Sequence, residues 1–189
     1  MNENLWEAVG AQVARGELGG AVQHLEERLS NCSTPRFKAL IGGQFSNDPR
    51  HVAEEISQFI SACEKSFEVK AVYLEMNGFD INPHRWYFDL FGYKTYVDNA
   101  ETFDWLSEWD SDHWPDVTLT GLENVQGDFV WYSSALKTED ADEAVEFAIP
   151  LVMCKFAGLI AAATSTGIVQ KHIPIFATAH DFDIIPKIA

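Results

Sequence analysis

Asp110-Ser111-Asp112-His113-Trp114-Pro115-Asp116 is the densest run of chemically capable side chains in the sequence. Three carboxylates and an imidazole within seven residues are donors of the kind that hold a divalent cation. A cation held there would activate water for hydrolysis. The spacing does not fit an EF-hand loop. An EF-hand starting at Asp110 needs glycine at its sixth position and glutamate at its twelfth, where Pro115 and Gly121 stand. Asp110, Asp112, His113 and Asp116 are therefore weak metal candidates for a small metal-dependent hydrolase, and no metal or other cofactor is expected.

Other polar clusters carry less. His180-Asp181-Phe182-Asp183 follows an apolar run, where an imidazole and carboxylates supply a base or ligands but more often open a turn. His51, Glu54 and Glu55 share one helical side without an H-E-x-x-H motif, which reads as a solvated polar face. Ser134-Ala135-Leu136-Lys137 matches S-x-x-K, yet neither S-D-N nor K-T-G accompanies it. The sequence has no G-x-G-x-x-G, no Walker A and no G-x-S-x-G. A conventional nucleotide-binding or acyl-transfer enzyme is disfavoured, and no residue is assigned as catalytic.

Charge points elsewhere. The 189 residues carry 13 Lys+Arg against 29 Asp+Glu, a net charge of -16. Residues 95–136 hold no basic side chain and nine acidic ones: Asp98, Glu101, Asp104, Glu108, Asp110, Asp112, Asp116, Glu123 and Asp128. Phe103, Trp105, Trp109, Trp114, Phe129 and Trp131 are interleaved with them. So acidic a surface repels phosphate backbones and anionic lipid, which argues against nucleic-acid and membrane-surface binding. Two readings of the segment compete. In the first, it is a solvated acidic loop whose tryptophans anchor into the core. In the second, it docks a basic protein partner: carboxylates steer the encounter and desolvated aromatics hold the complex. On that second reading the contact residues are Glu101, Asp104, Trp105, Glu108, Trp109, Asp110, Asp112, Trp114 and Asp116. A third reading is a ligand site on an aromatic sheet face around Tyr87, Phe91 and Tyr93.

An acidic, tryptophan-rich domain without catalytic motifs resembles, in composition, the immunity proteins of bacterial toxin systems. That resemblance implies a non-catalytic chain that neutralises or regulates a basic partner by electrostatic docking. It carries no motif and transfers no residue roles.

The elements that must position these side chains are legible from periodicity. A single α+β domain over residues 1–189 is expected, with 47% hydrophobic and 13% aromatic residues to fill its core. The first third reads as helices. Leu5, Val9 and Val13 recur every fourth residue, Gly19-Gly20 breaks or kinks the pattern, and Ala21, Val22, Leu25 and Leu29 resume it. Asp48-Pro49 is a helix start, followed by Val52, Ile56, Phe59, Ile60, Cys63 and Phe67. The period then becomes two, which predicts a small antiparallel sheet with strands near 69–76, 86–96 and 173–180. Residues 97–119 read as irregular, with one helical turn near Phe103–Leu106. Thr120 and Glu123 form a capping box ahead of the run from Leu122 to Leu136. A long buried helix is expected near 141–163.

Phe147–Ala163 is apolar enough to invite a membrane reading, but Lys155 lies at its centre and Pro150 and Gly158 interrupt it, so a core helix is the expectation. Lys155 should then reach solvent or a carboxylate. Cys32, Cys63 and Cys154 are odd in number and widely spaced, which disfavours disulfides and a zinc knuckle. Met1-Asn2-Glu3-Asn4 carries no basic residue and no apolar run, so no secretion signal and a cytoplasmic location are expected.

Overall fold

The computed structural model describes residues 3–79, 81–97, 104–134, 138–180, 182 and 186–189. Helices α1 (Glu3–Ala14), α2 (Leu18–Asn31) and α3 (Pro49–Cys63) precede strands β1 (Ala71–Asn77) and β2 (Tyr87–Tyr93). Strand β3 (Val117–Thr118), helices α4 (Glu123–Ser134) and α5 (Glu139–Thr164), and strand β4 (Ile175–Ala179) follow. A 3-10 turn at Asp104–Ser107 occupies part of the stretch expected to hold one helical turn.

The helix signals act as their chemistry requires. Pro49 opens α3, and the Asp48 carboxylate caps it by accepting from Arg50 N at 2.9 Å. The break between α1 and α2 lies at Gly16, φ 75°, rather than at Gly19-Gly20, which fall in the first turn of α2. A left-handed residue ends a helix, whereas glycines in a first turn merely weaken it. The Thr120 box does not form as expected. Its hydroxyl lies 3.0 Å from Ser46 Oγ, and its backbone N donates to Asn47, so it is engaged across the chain. Glu123 accepts from Gly121 N instead, and the helix begins at Glu123 itself.

The sheet order is β3-β2-β1-β4. The expected antiparallel sheet is corrected here to a mixed one: β1 pairs antiparallel with β2, β2 with β3, but β1 pairs parallel with β4. The chain between β1 and β4 includes α5, and a parallel return needs a long crossover of this kind. The last residues cover the outer edge of β4: Ile188 N donates to Ile175 O at 2.7 Å and Ile175 N to Ala189 O at 3.1 Å. That edge is thereby kept from pairing with another chain.

The inner sheet face packs on the helices. Val72, Leu74, Met76, Phe88, Leu90, Ile175 and Ala177 join the main core. Gly92 allows α3 to approach closely, because a Cβ there would meet Phe59 Cζ and Cys63 Sγ at 3.3 Å. Helix α5 is long and apolar enough to cross a membrane, but 72% of its most apolar window is buried inside the molecule. Pro150 lies within it, at the cost of one backbone hydrogen bond. The Lys155 ammonium, fully buried, meets Glu26 Oε1 at 2.7 Å and donates to Gly43 O at 2.7 Å. Burial opposes the Glu26 charge, but Lys155 and the Gly42 N–H outweigh it and hold that carboxyl below its usual range.

Candidate functional site

Alternation in the strands sends a second set of residues to the outer sheet face. These are Tyr73, Glu75 and Asn77 from β1, Tyr87, Asp89, Phe91 and Tyr93 from β2, and Phe176 and Thr178 from β4. One end of this face is closed. Trp105 lies 4.7 Å from Tyr93 and 5.3 Å from Phe176, and Tyr96 lies 5.6 Å from Phe176. The Tyr93 hydroxyl donates to Leu106 O at 2.8 Å. Ala71, Tyr73, Tyr93 and Phe176 thus form a small second core, and Tyr93 is unavailable to a ligand.

The other end is open. A cavity of about 470 Å³ is lined by Tyr73, Glu75, Phe91, Leu106, Ser107, Trp109, Ala179, His180 and Phe182. Tyr73 and Phe91 stack at 5.8 Å, and Trp109 tilts over Phe91 at 5.1 Å. Trp109 is 53% exposed, the most exposed tryptophan among the described residues. Glu75 is held from two sides: Tyr73 Oη donates to Oε2 at 3.0 Å and His180 Nδ1 lies 2.8 Å from Oε1. An ionised carboxylate only accepts, so Nδ1 is the protonated ring nitrogen and Nε2 is directed away from Glu75. Burial, then the Glu75 charge, raises the Tyr73 hydroxyl pKa, so Tyr73 stays a donor.

Glu75 sits directly opposite Asp89 in the β1–β2 register. Opposed carboxylates on one sheet face destabilise each other. Asn77 Nδ2 donates to Asp89 Oδ2 at 2.8 Å. Even so, burial, followed by the charges of Asp116 and Glu75, holds the Asp89 carboxyl above its ordinary range. Among the described residues, the basic group that meets Glu75 here is His180, which is charged only when protonated.

The acidic segment divides into engaged and free groups. Asp110 pairs with Lys94 Nζ at 2.8 Å and accepts from Lys94 N, which hold its carboxyl below the usual range. Asp116 pairs with Arg85, and Asp128 with Arg36 at 3.0 Å while also accepting from Phe37 N. Trp114 packs edge-on against Phe59 at 5.7 Å, and Trp105 belongs to the second core. Glu108, Trp109 and Asp112 are exposed. Glu101 and Asp181 lie outside the described residues, as does the Asp104 side chain.

The metal candidates are strung out rather than gathered. Asp110 N and Ser111 N donate to Gly92 O, whereas Val117 is opposite Phe88. Those positions are four residue steps apart along β2, about 13 Å at the usual rise. Among the described residues, no three His, Cys, Asp or Glu side chains are grouped to hold a metal. The thiols offer no nucleophile either. Burial pushes Cys63 up to about 11 and Cys154 up to about 12, and also raises Cys32.

Sequence reasoning named Phe91 for a sheet face and His180 for a strand end, but it missed Glu75 and Tyr73 and the cavity that joins all four. The only local signal was Glu75, a charge set into the period-two run Ala71–Asn77. Set against known protein families, curated proteins and solved structures, the chain matches none of them.

Proposed function

We propose that this chain is a non-catalytic, immunity-protein-like binding protein that docks a basic protein partner. The contact is centred on the Trp109 end of the 95–136 segment. The observation that carries this reading is Trp109: it is 53% exposed, seated on Phe91, and placed at the lip of a carboxylate-floored cavity. An exposed tryptophan beside a cavity is the kind of anchor that dominates protein interfaces. Glu108 and Asp112 flank it as exposed acids and supply the steering field. Asp110, Asp116 and Asp128 are already paired with cations, so each adds less to the steering field than an unpaired acid does.

The test is capture at low salt from cells that make the protein, with wild type, Trp109→Ala and Glu108→Lys/Asp112→Lys compared. A basic protein retained by wild type and lost with either variant supports docking. Retention of acidic proteins only, or retention indifferent to both variants, overturns it.

The cavity itself favours a second reading, a small-molecule site on the aromatic sheet face. Its volume of about 470 Å³ lies within the range of ordinary ligand pockets, and its walls are aromatic. A metal-dependent hydrolase built on residues 110–116 has no comparable support, because Asp110 and Asp116 are paired with separate cations.

A further inference from the structure

We propose that the outer-face cavity is a receptor for one arginine side chain of the basic partner, with its guanidinium stacked on the Trp109–Phe91 wall and paired to Glu75. This inference rests on the docking reading and names the group that the site recognises.

Three features converge on a guanidinium. First, the cavity is lined by aromatic rings, with Phe91 stacked on Tyr73 and the exposed Trp109 ring tilted 58° against Phe91, and an exposed ring face attracts a cation. Second, its acceptor is fixed in place. Tyr73 and His180 each take one oxygen of Glu75, which sets the carboxylate plane and leaves each oxygen a further lone pair. Third, the charge is unbalanced. Asp89 faces Glu75 across the sheet and is held above its ordinary range, while among the described lining residues the one basic group is His180, which is charged only when protonated. The nearby cations Lys94 and Arg85 already pair with Asp110 and Asp116. An arriving cation therefore relieves a repulsion that the fold leaves in place. A planar fork that can stack and donate twice suits this geometry better than a compact ammonium.

The experiment titrates the full chain with Nα-acetyl-arginine amide, and in parallel with the lysine and citrulline counterparts. Indole N–H resonances are followed, with Trp109 assigned by its loss in Trp109→Phe. The expected result is a saturable shift of the Trp109 signal with arginine, about fivefold weaker binding for lysine, and none for citrulline, which keeps the shape but not the charge. Glu75→Gln should abolish the response. Trp109→Ala, a change at an exposed ring, should abolish arginine-dependent shifts elsewhere on the face while the remaining spectrum stays folded. An equal response to citrulline, or no saturable response to arginine, overturns the inference. If arginine amide fails to bind but Trp109→Ala still releases a captured basic protein, the guanidinium site falls and docking stands. If arginine amide binds and no basic protein is captured, the site stands and the partner reading falls.

Discussion

The two faces of one sheet are built by alternate residues of the same strands, yet they do different work. The inner face is apolar and filled, with Val72, Leu74, Met76, Phe88 and Leu90 packed into the main core. The outer face carries Tyr73, Glu75, Asn77, Asp89 and Phe91, and is covered at only one end. A one-residue step along β1 thus separates a side chain packed in the main core from one that lines an open cavity. The contrast separates a filled face from one that keeps an open cavity, and the docking reading built on that difference makes quantitative demands.

The largest effects should come from the inner side. Phe156 is fully buried and lies 5.5 Å from Phe88, so Phe156→Ala should cost about 3–5 kcal/mol in denaturant unfolding. Glu26→Ala should cost a similar amount, about 3–5 kcal/mol, because it strands the buried Lys155 ammonium. At the closed end of the outer face, Trp105→Ala should cost about 2 kcal/mol, less than a full core truncation because the ring is only half-buried. A loss equal to that of Phe156→Ala would erase the distinction between the faces.

Smaller effects should separate the charges. The folded state raises the Asp89 pKa, so ionising this group opposes folding. Stability is lost as pH rises from the unfolded value near 4 through the folded value, and the deficit is complete above it. Asp89→Asn should therefore raise stability at neutral pH by about 0.5 kcal/mol, and the gain should vanish in acid, where both forms are neutral. Glu26 acts with the opposite sign: its contribution is present at neutral pH and is lost as pH falls through its depressed folded value. Smallest of all, Glu108→Lys/Asp112→Lys should change folding by less than about 0.5 kcal/mol. The charge reversal should slow association with a basic partner by about tenfold or more at low salt, while loss of Trp109 should speed dissociation.

How much of this was legible in the sequence follows from how local each feature is. The alternation of Val72, Leu74 and Met76 is a property of neighbours and predicted β1, just as Asp48-Pro49 predicted the start of α3. Lys155 was recognisable as a conflict that needed a carboxylate, but nothing in its surroundings named Glu26, 129 residues away. The acids of 95–136 look alike in composition. What distinguishes Asp110 from Asp112 is Lys94, and what distinguishes Asp128 from Glu108 is Arg36, and both cations lie outside the segment. The direction of β4 was illegible for a related reason: a five-residue run with four apolar members reads the same in a parallel or an antiparallel pair.

The Glu75–His180 contact joins residues 105 apart. Closing a loop of that length costs on the order of 4 kcal/mol in chain entropy, and the contact becomes available only after β4 has docked on β1. Contacts so distant along the chain are slow to form. The β1–β2 pair joins strands close in sequence and can form before the Glu75–His180 contact exists. On the docking reading proposed above, a partner that enters the cavity selects chains in which β4 has docked on β1, and its binding favours that docked state.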